Sequence, residues 1–235
     1  MKSGLGRVLA GVCATAALAA TAACGSGADD AKSADRPAAK AALKPLSEAQ
    51  LKQAVITEAD VKGYRVGALG KGDIAEVSVP AKPAACQPIA DLFLLGTEPD
   101  AAAIVARSVT SLTETDTTVI QLGLLAHEEA DAKKVLAGLR TASEKCEAYE
   151  HTGYKYSGVK PRKAPDLGDE AVSYEMTGKI DGETIPMTYT VVRTGSTVAS
   201  FYAMNILDAK QAEVPGEIIR AQLAKLEKST ANKAS

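Results

Sequence analysis

Few side chains in this sequence have the type and spacing to do chemistry. Ser157-Gly158-Val159-Lys160 matches Ser-x-x-Lys, a spacing that serves acyl transfer when the Ser opens a helix and the Lys, one turn later, reaches its hydroxyl. Gly158, the β-branched Val159 and Pro161 oppose a helix there, and neither Ser-Asp-Asn nor Lys-Thr-Gly occurs elsewhere, so the match reads as chance. His127 and His151 flank one helical stretch and are expected to be solvated end residues rather than bases or ligands. Arg193, beside the Gly195 turn, carries the charge to hold an anion, although a surface ion pair is the plainer expectation. Tyr149, Tyr154, Tyr156 and Tyr174 bunch in the second half, either lining one wall of a cleft or packed in the core with hydroxyls at the rim. No Gly-x-Ser-x-Gly elbow or Walker-type loop is present, and Gly67-Ala68-Leu69-Gly70-Lys71-Gly72 reads as a hairpin loop. Two His and four Cys leave little material for a metal site. No catalytic, metal-binding or cofactor residue is assigned, and the ligand-binding residues are unknown at this level.

The cysteines are more informative. Lys2 and Arg7 precede an uncharged run, Val8 to Ala23, which has the form of a signal peptide over residues 1–23. At 16 residues the run falls short of the roughly 20 apolar residues that span a bilayer as a helix. Thr21-Ala22-Ala23-Cys24-Gly25 resembles a bacterial lipobox, in which small residues precede a Cys that is diacylated and becomes the new N-terminus. Thr21 stands where an aliphatic residue is usual, which leaves plain secretion as the alternative. Acylated Cys24 would anchor the chain firmly, since two acyl chains suffice for stable membrane attachment. Cys13 is removed with the leader, leaving Cys86 and Cys146. An even pair in an exported domain points to a disulfide, and no Cys-x-x-Cys spacing suggests a redox pair.

These residues need a scaffold, and the composition bounds it. A length of 235 residues, a net charge of -2 and 46% hydrophobic content fit one globular domain and exclude a basic nucleic-acid binder. Residues 24–46 hold no aliphatic side chain larger than Ala before Leu43, and so read as the acylated Cys and a flexible linker. As a coil this linker would span about 25 Å. The domain is expected over 47–228, with a polar tail at 229–235. Ser47-Glu48-Ala49-Gln50 is a capping box, and Thr57 to Asp60 repeats it before Val61, which predicts two short helices. Tyr64–Leu69 and Ile74–Val79 read as short strands, and Ile89–Leu95 as one or two helical turns closed by Gly96. Val105–Thr113 and Thr118–Ala126 read as strands joined by a polar turn. The clearest helix is Glu128 to about Ala148, with Ala132, Val135, Leu136, Leu139, Ala142 and Cys146 on one face. Three strands follow, Glu170–Gly178, Thr184–Arg193 and Thr197–Met204, and a last helix runs from Pro215 to about Lys228 with Ile219, Leu223 and Leu226 inward.

The succession Thr57-Glu58-Ala59-Asp60-Val61, Cys86, Val119-Ile120-Gln121, Cys146, Leu167-Gly168-Asp169-Glu170-Ala171 and Val191-Val192-Arg193-Thr194-Gly195-Ser196 resembles the PknH-like extracellular sensor domain. That domain forms the extracellular part of receptor Ser/Thr kinases in actinobacteria and also occurs in many stand-alone lipoproteins. The resemblance covers about residues 47–228. It implies a single α+β domain with one disulfide, in which a twisted antiparallel sheet flanked by helices forms a cleft for an unknown extracellular ligand or envelope protein. Kinase members tend to carry two cysteine pairs and an aromatic residue before the second Cys, where Lys145 stands here. The expected function is a non-catalytic binding or sensing module, lipid-anchored on the extracytoplasmic face of the cell membrane. A carrier of lipid or another apolar envelope molecule and an envelope hydrolase using Ser157 or His127 are the alternatives.

Overall fold

A computed structural model describes residues 43–231 except 71, 73, 75, 76, 181, 206 and 208–211. The expected signal peptide, Cys24 and most of the linker therefore lie outside the described residues. An eight-stranded sheet forms the body, wholly antiparallel, in the order β1-β2-β3-β8-β7-β6-β5-β4. Its strands are β1 (Tyr64–Ala68), β2 (Ala103–Ser111), β3 (Val119–Ala126), β4 (Ala148–His151), β5 (Tyr154–Arg162), β6 (Glu170–Ile180), β7 (Glu183–Thr194) and β8 (Thr197–Met204). Helices α1 (Glu48–Ala54), α2 (Gln87–Phe93), α3 (Glu129–Lys145) and α4 (Gly216–Ala231) cover it. This is the expected α+β class with one disulfide.

Both sheet faces are buried, which explains why β7 and β8 are apolar on both sides. On one face α2 and α3 pack against Leu125, Val172, Met176, Met187, Tyr189, Val191 and Val198. On the other, α1 and α4 pack against Val105, Val109, Ile120, Leu122, Leu124, Val192 and Phe201. The stripe Ala132, Val135, Leu136, Leu139 and Ala142 is buried as its spacing dictates. Ser47 caps α1 reciprocally, its hydroxyl accepting from the Gln50 N–H at 3.4 Å while its own N–H donates to Gln50 Oε1 at 2.9 Å. At the other end of α1, a fully buried Gln222 on α4 accepts from the Ile56 N–H at 3.0 Å and donates to the Ala54 carbonyl at 2.9 Å. One amide thus satisfies a carbonyl that the helix end leaves without a partner and the N–H just beyond the cap.

Several expectations need correction. The second capped segment is a short 3-10 turn, Glu58–Asp60, because Val61 is already extended. Among the described residues of Ile74–Val79 no strand forms; this stretch belongs to a connection that leaves β1 at one edge of the sheet and bridges to β4, through Lys82 and Glu150, at the other. The long helix stops at Lys145, three residues early, since Cys146 is extended and Ala148 starts a strand. β4 and β5 escape a hydropathy reading because β5 carries Lys, Gly and Pro and is interrupted by a bulge, with Gly158 at φ 65°. The body also begins before Ser47: Leu46 is buried in the core beside α1, and the Ser196 hydroxyl donates to the Lys44 carbonyl at 3.2 Å. At the far end α4 runs through Ser229 and Thr230, which the sequence assigned to the tail.

Cys86 and Cys146 are joined, with Cα atoms 5.2 Å apart and a sequence separation of 60. In the chain-entropy account such a loop corresponds to about 4 kcal/mol. The Cys86→Ala/Cys146→Ala variant should lower the unfolding free energy by up to that amount in urea titration, and unreduced protein denatured in urea should titrate no thiol from this pair. Gln222→Leu strands two buried backbone groups and should cost roughly 2 to 4 kcal/mol in the same assay.

Candidate functional site

Six of the nine aromatic residues of the chain meet on the α2/α3 face. The register sets Tyr174, Tyr189 and Tyr202 directly opposite one another on β6, β7 and β8, and their rings stack at centroid distances of 4.7 and 4.8 Å. Tyr149 and Tyr156, opposed on β4 and β5, stack at 4.7 Å. Phe93 of α2 wedges between the two sets, 5.6 Å from Tyr156 and 5.7 Å from Tyr202. Gly178 makes room for this layer, since a Cβ there would lie 2.8 Å from the Met187 methyl and 3.3 Å from the Tyr156 ring.

The tyrosines therefore fill the space that the sequence left open as a cleft wall. Tyr154 alone of the expected four stands out, 38% exposed. Nor do the hydroxyls reach a rim. Those of Tyr149 and Tyr202 donate to Met176 and Met204 sulfurs at 3.5 and 3.1 Å, while those of Tyr156, Tyr174 and Tyr189 are buried without a well-formed hydrogen bond. Burial, and then the neighbouring phenols, raise the pKa of Tyr174 and Tyr189 far above the usual 10. Sequence reading found Tyr149, Tyr156 and Tyr174; Tyr189 and Tyr202 were legible only as members of alternating strands.

The remaining expected residues do not converge. Ser157 is exposed on β5 opposite Thr177, and Lys160 lies beyond the bulge opposite Glu175. Among the described residues no side-chain hydrogen bond joins Ser157 to Lys160 or to a histidine. Arg193 is buried rather than on the surface. Its guanidinium meets Asp169 at 2.9 Å and Glu170 at 3.6 Å and donates to the Gly195 carbonyl at 3.1 Å, while Arg140 of α3 takes Glu170 at 2.8 Å. Gly168 seats this node: at φ 65°, a Cβ there would lie 2.6 Å from the Arg193 carbonyl oxygen. The two glycine-containing segments therefore lock to each other, and Arg193 is occupied in doing so.

His127 and His151 are buried, 1% and 2% exposed, which corrects their reading as solvated ends. Neither ring makes a well-formed hydrogen bond. Burial lowers both pKa values below the usual 6.5, offset in part by Asp131 and Asp100 around His127 and by Asp91 and the Val79 backbone around His151.

Space for a ligand lies on the opposite face, at one end of the sheet. A cavity of about 220 Å³ is lined by Tyr64 of β1, Ser111 of β2, Asp116 and Thr118 of the β2–β3 turn, Ile120 of β3, and Glu213 and Pro215 before α4. A buried amide builds its wall: Asn205, just past β8, accepts from the Thr117 hydroxyl at 3.0 Å and donates to that of Thr118 at 3.0 Å. Asp116 accepts the Thr118 N–H at 3.0 Å, which with the hydroxyls of Thr118 and Ser111 holds its carboxyl below the usual carboxylate range. The Tyr64 hydroxyl donates to Glu217 at 2.9 Å; burial first, then Glu217 and Asp116, push its pKa up to about 12. No residue of this hollow is assigned to a site from the sequence, because its members come from five separate segments.

No protein-family model matches the sequence, and comparison with curated proteins finds no relative. Among solved structures, the extracellular domain of PknH from Mycobacterium tuberculosis superposes with a TM-score of 0.54 at 10% identity, over 80% of this chain and 98% of that one. The fold is that of the PknH extracellular domain. A second match, LpqN involved in cell envelope biogenesis of Mycobacterium tuberculosis, covers 71% of this chain and 82% of its own at 13% identity. Its TM-score of 0.27 is too low to build on. The PknH-like fold accounts for the body of the described residues, and the resemblance drawn from the sequence is matched in architecture. Among those residues, no helix is long and apolar enough to cross a membrane.

Buried neutral histidines make stability depend on pH. Their folded pKa values lie below the unfolded value of 6.5, so the unfolded chain binds more protons once the pH falls beneath it. Stability should be full above about pH 6.5 and decline as the pH drops through it toward the folded values. Urea midpoints measured between pH 7.5 and 5 should fall, and less steeply in the His127→Asn/His151→Asn variant. A profile unchanged by that pair of substitutions would refute the assignment.

Proposed function

We propose that the chain is a non-catalytic ligand-binding or sensing module of the cell envelope, held at the extracytoplasmic face of the membrane by acyl groups on Cys24. The observation that carries this reading is the match of fold to an extracellular domain over 98% of that domain's length. The leader, the lipobox-like Thr21 to Gly25 and an exported cystine are consistent with the same address. A binding role is favoured over hydrolysis because Ser157, Lys160, His127 and His151 occupy separate places, two of them buried. It is favoured over apolar carriage because the α2/α3 face is packed solid with stacked rings. The cavity of about 220 Å³ is also below the roughly 300–1,000 Å³ usual for ligand pockets, and far from the volume of a lipid.

The address is tested by labelling cells that produce the full chain with radioactive palmitate. The wild type should incorporate label and fractionate with membranes. Cys24→Ser should lose both, with the domain recovered in the medium. Unlabelled wild-type protein in the medium would refute the anchor and leave plain secretion.

A further inference from the structure

We infer that the hollow between the β2–β3 turn and the start of α4 is a binding site for a small organic cation, an ammonium or guanidinium group carried on a short apolar stem. The inference rests on the reading of the protein as a binding module and supplies the class of ligand.

Charge is the first consideration. Among the described residues, the lining contains Asp116 and Glu213 and no Lys, Arg or His. Glu217 stands directly behind Tyr64, receiving its hydroxyl at 2.9 Å. Arg162 is the cation tied to this rim, and it is shared between Glu213 at 2.6 Å and Glu175 at 3.6 Å. Two carboxylates therefore compete for one guanidinium, and Asp116 and Glu217 have no ion-pair partner among the described residues. With more carboxylates than cations among the described residues around it, the hollow would repel a ligand anion. Burial is the main cause of the raised Tyr64 pKa, and Glu217 and Asp116 add to it by opposing a phenolate.

Shape separates an organic cation from a metal ion. Among the described residues no three His, Cys, Asp or Glu side chains gather as metal ligands. The carboxylates stand around a space of about 220 Å³ instead of converging on a point, and that space holds several heavy atoms. A metal needs its ligands at roughly 2.0–2.6 Å. An ammonium or guanidinium bears several donors that reach separate acceptors. The acceptors here are mixed, carboxylates beside the hydroxyls of Ser111, Thr118 and Tyr64, while buried Ile120 and half-buried Pro215 supply an apolar surface for methylenes. The wall is also preorganised. Asn205 fixes Thr117 and Thr118, and the Thr118 N–H fixes Asp116, so the ligand would not have to order the turn on binding.

Equilibrium dialysis of the full chain at low ionic strength tests the inference, with radiolabelled putrescine as the probe and 1,4-butanediol and succinate as neutral and anionic probes of similar length. Putrescine should bind at one equivalent. Its affinity should fall at least tenfold both in Asp116→Asn/Glu217→Gln, which removes charge, and in Ser111→Met, which removes volume and leaves charge alone. Thermal melts of the variants confirm that they are folded. Binding of butanediol or succinate that Ser111→Met abolishes, with none of putrescine, overturns the cation and leaves the module a binding protein. Putrescine binding that survives both variants, or no binding of any probe, overturns the hollow as a site.

Discussion

The connection from β1 to α2 is the constraint on which the rest of the body depends. It starts at one edge of an eight-stranded sheet and finishes at the other, bridging to β4. Among its described residues there is an isolated bridge but no strand, so the entropy of ordering them must be met by other points of attachment. The cystine is the covalent one, fixing the start of α2 to the end of α3. Gln87 is the polar one: its side chain accepts from the Ala81 N–H at 2.7 Å and donates to the Val79 carbonyl at 2.9 Å and to Asp91 at 2.8 Å. Ser78 donates to the same Asp91 carboxylate at 2.6 Å. Once α2 is seated by these bonds, Phe93 is delivered between Tyr156 and Tyr202, and the aromatic layer closes.

That layer shows why few aromatics suffice. A chain with nine aromatic residues cannot scatter them through a core of this size. Setting three tyrosines opposite one another across β6, β7 and β8 concentrates their area in one place, where cross-strand ring pairs gain beyond simple burial. The unpaired hydroxyls of Tyr156, Tyr174 and Tyr189 oppose that gain, as a buried polar group without a partner is costly. Gln222 and Asn205 are the opposite case. Each is an amide at 0–1% exposure whose bonds tie elements far apart in sequence, and so it converts burial into alignment.

How much of this was legible in the sequence depends on the range of the interaction. The α1 cap, the inward stripe of α3 and the alternation in β6 and β7 are set by residues within a turn or two, and the sequence displays them. The cystine follows from counting. β4 and β5 are not legible, because Gly158 belongs to a bulge whose meaning comes from the partner strand, and Pro161 sits in the ladder opposite Tyr174 where a sequence reading would not place it. The histidines were misplaced for a related reason: their neighbours come from distant parts of the sequence, Asp100 for His127 and Asp91 and Val79 for His151. The cavity is the extreme case, since adjacency among Tyr64, Asp116 and Glu213 exists only after the sheet has formed.

Strand polarity adds a last step. The first described residues meet the β7–β8 turn, where Ser196 holds Lys44 and a Cβ on Gly195 would touch Leu43 at 2.6 Å. β3 and β8 pair from Ala126 and Thr197 at that end to Val119 and Met204 at the other. The hollow lies beside Ile120, Thr118 and Ser111, at the far end of these strands. An eight-residue strand spans about 26 Å. Leu43 and Lys44 therefore lie at one end of the sheet and the cavity at the other. The same separation means that the ion pairs around Arg193, at the end where Lys44 lies, and the carboxylates around Tyr64 act independently, because charges a sheet length apart are screened at physiological ionic strength.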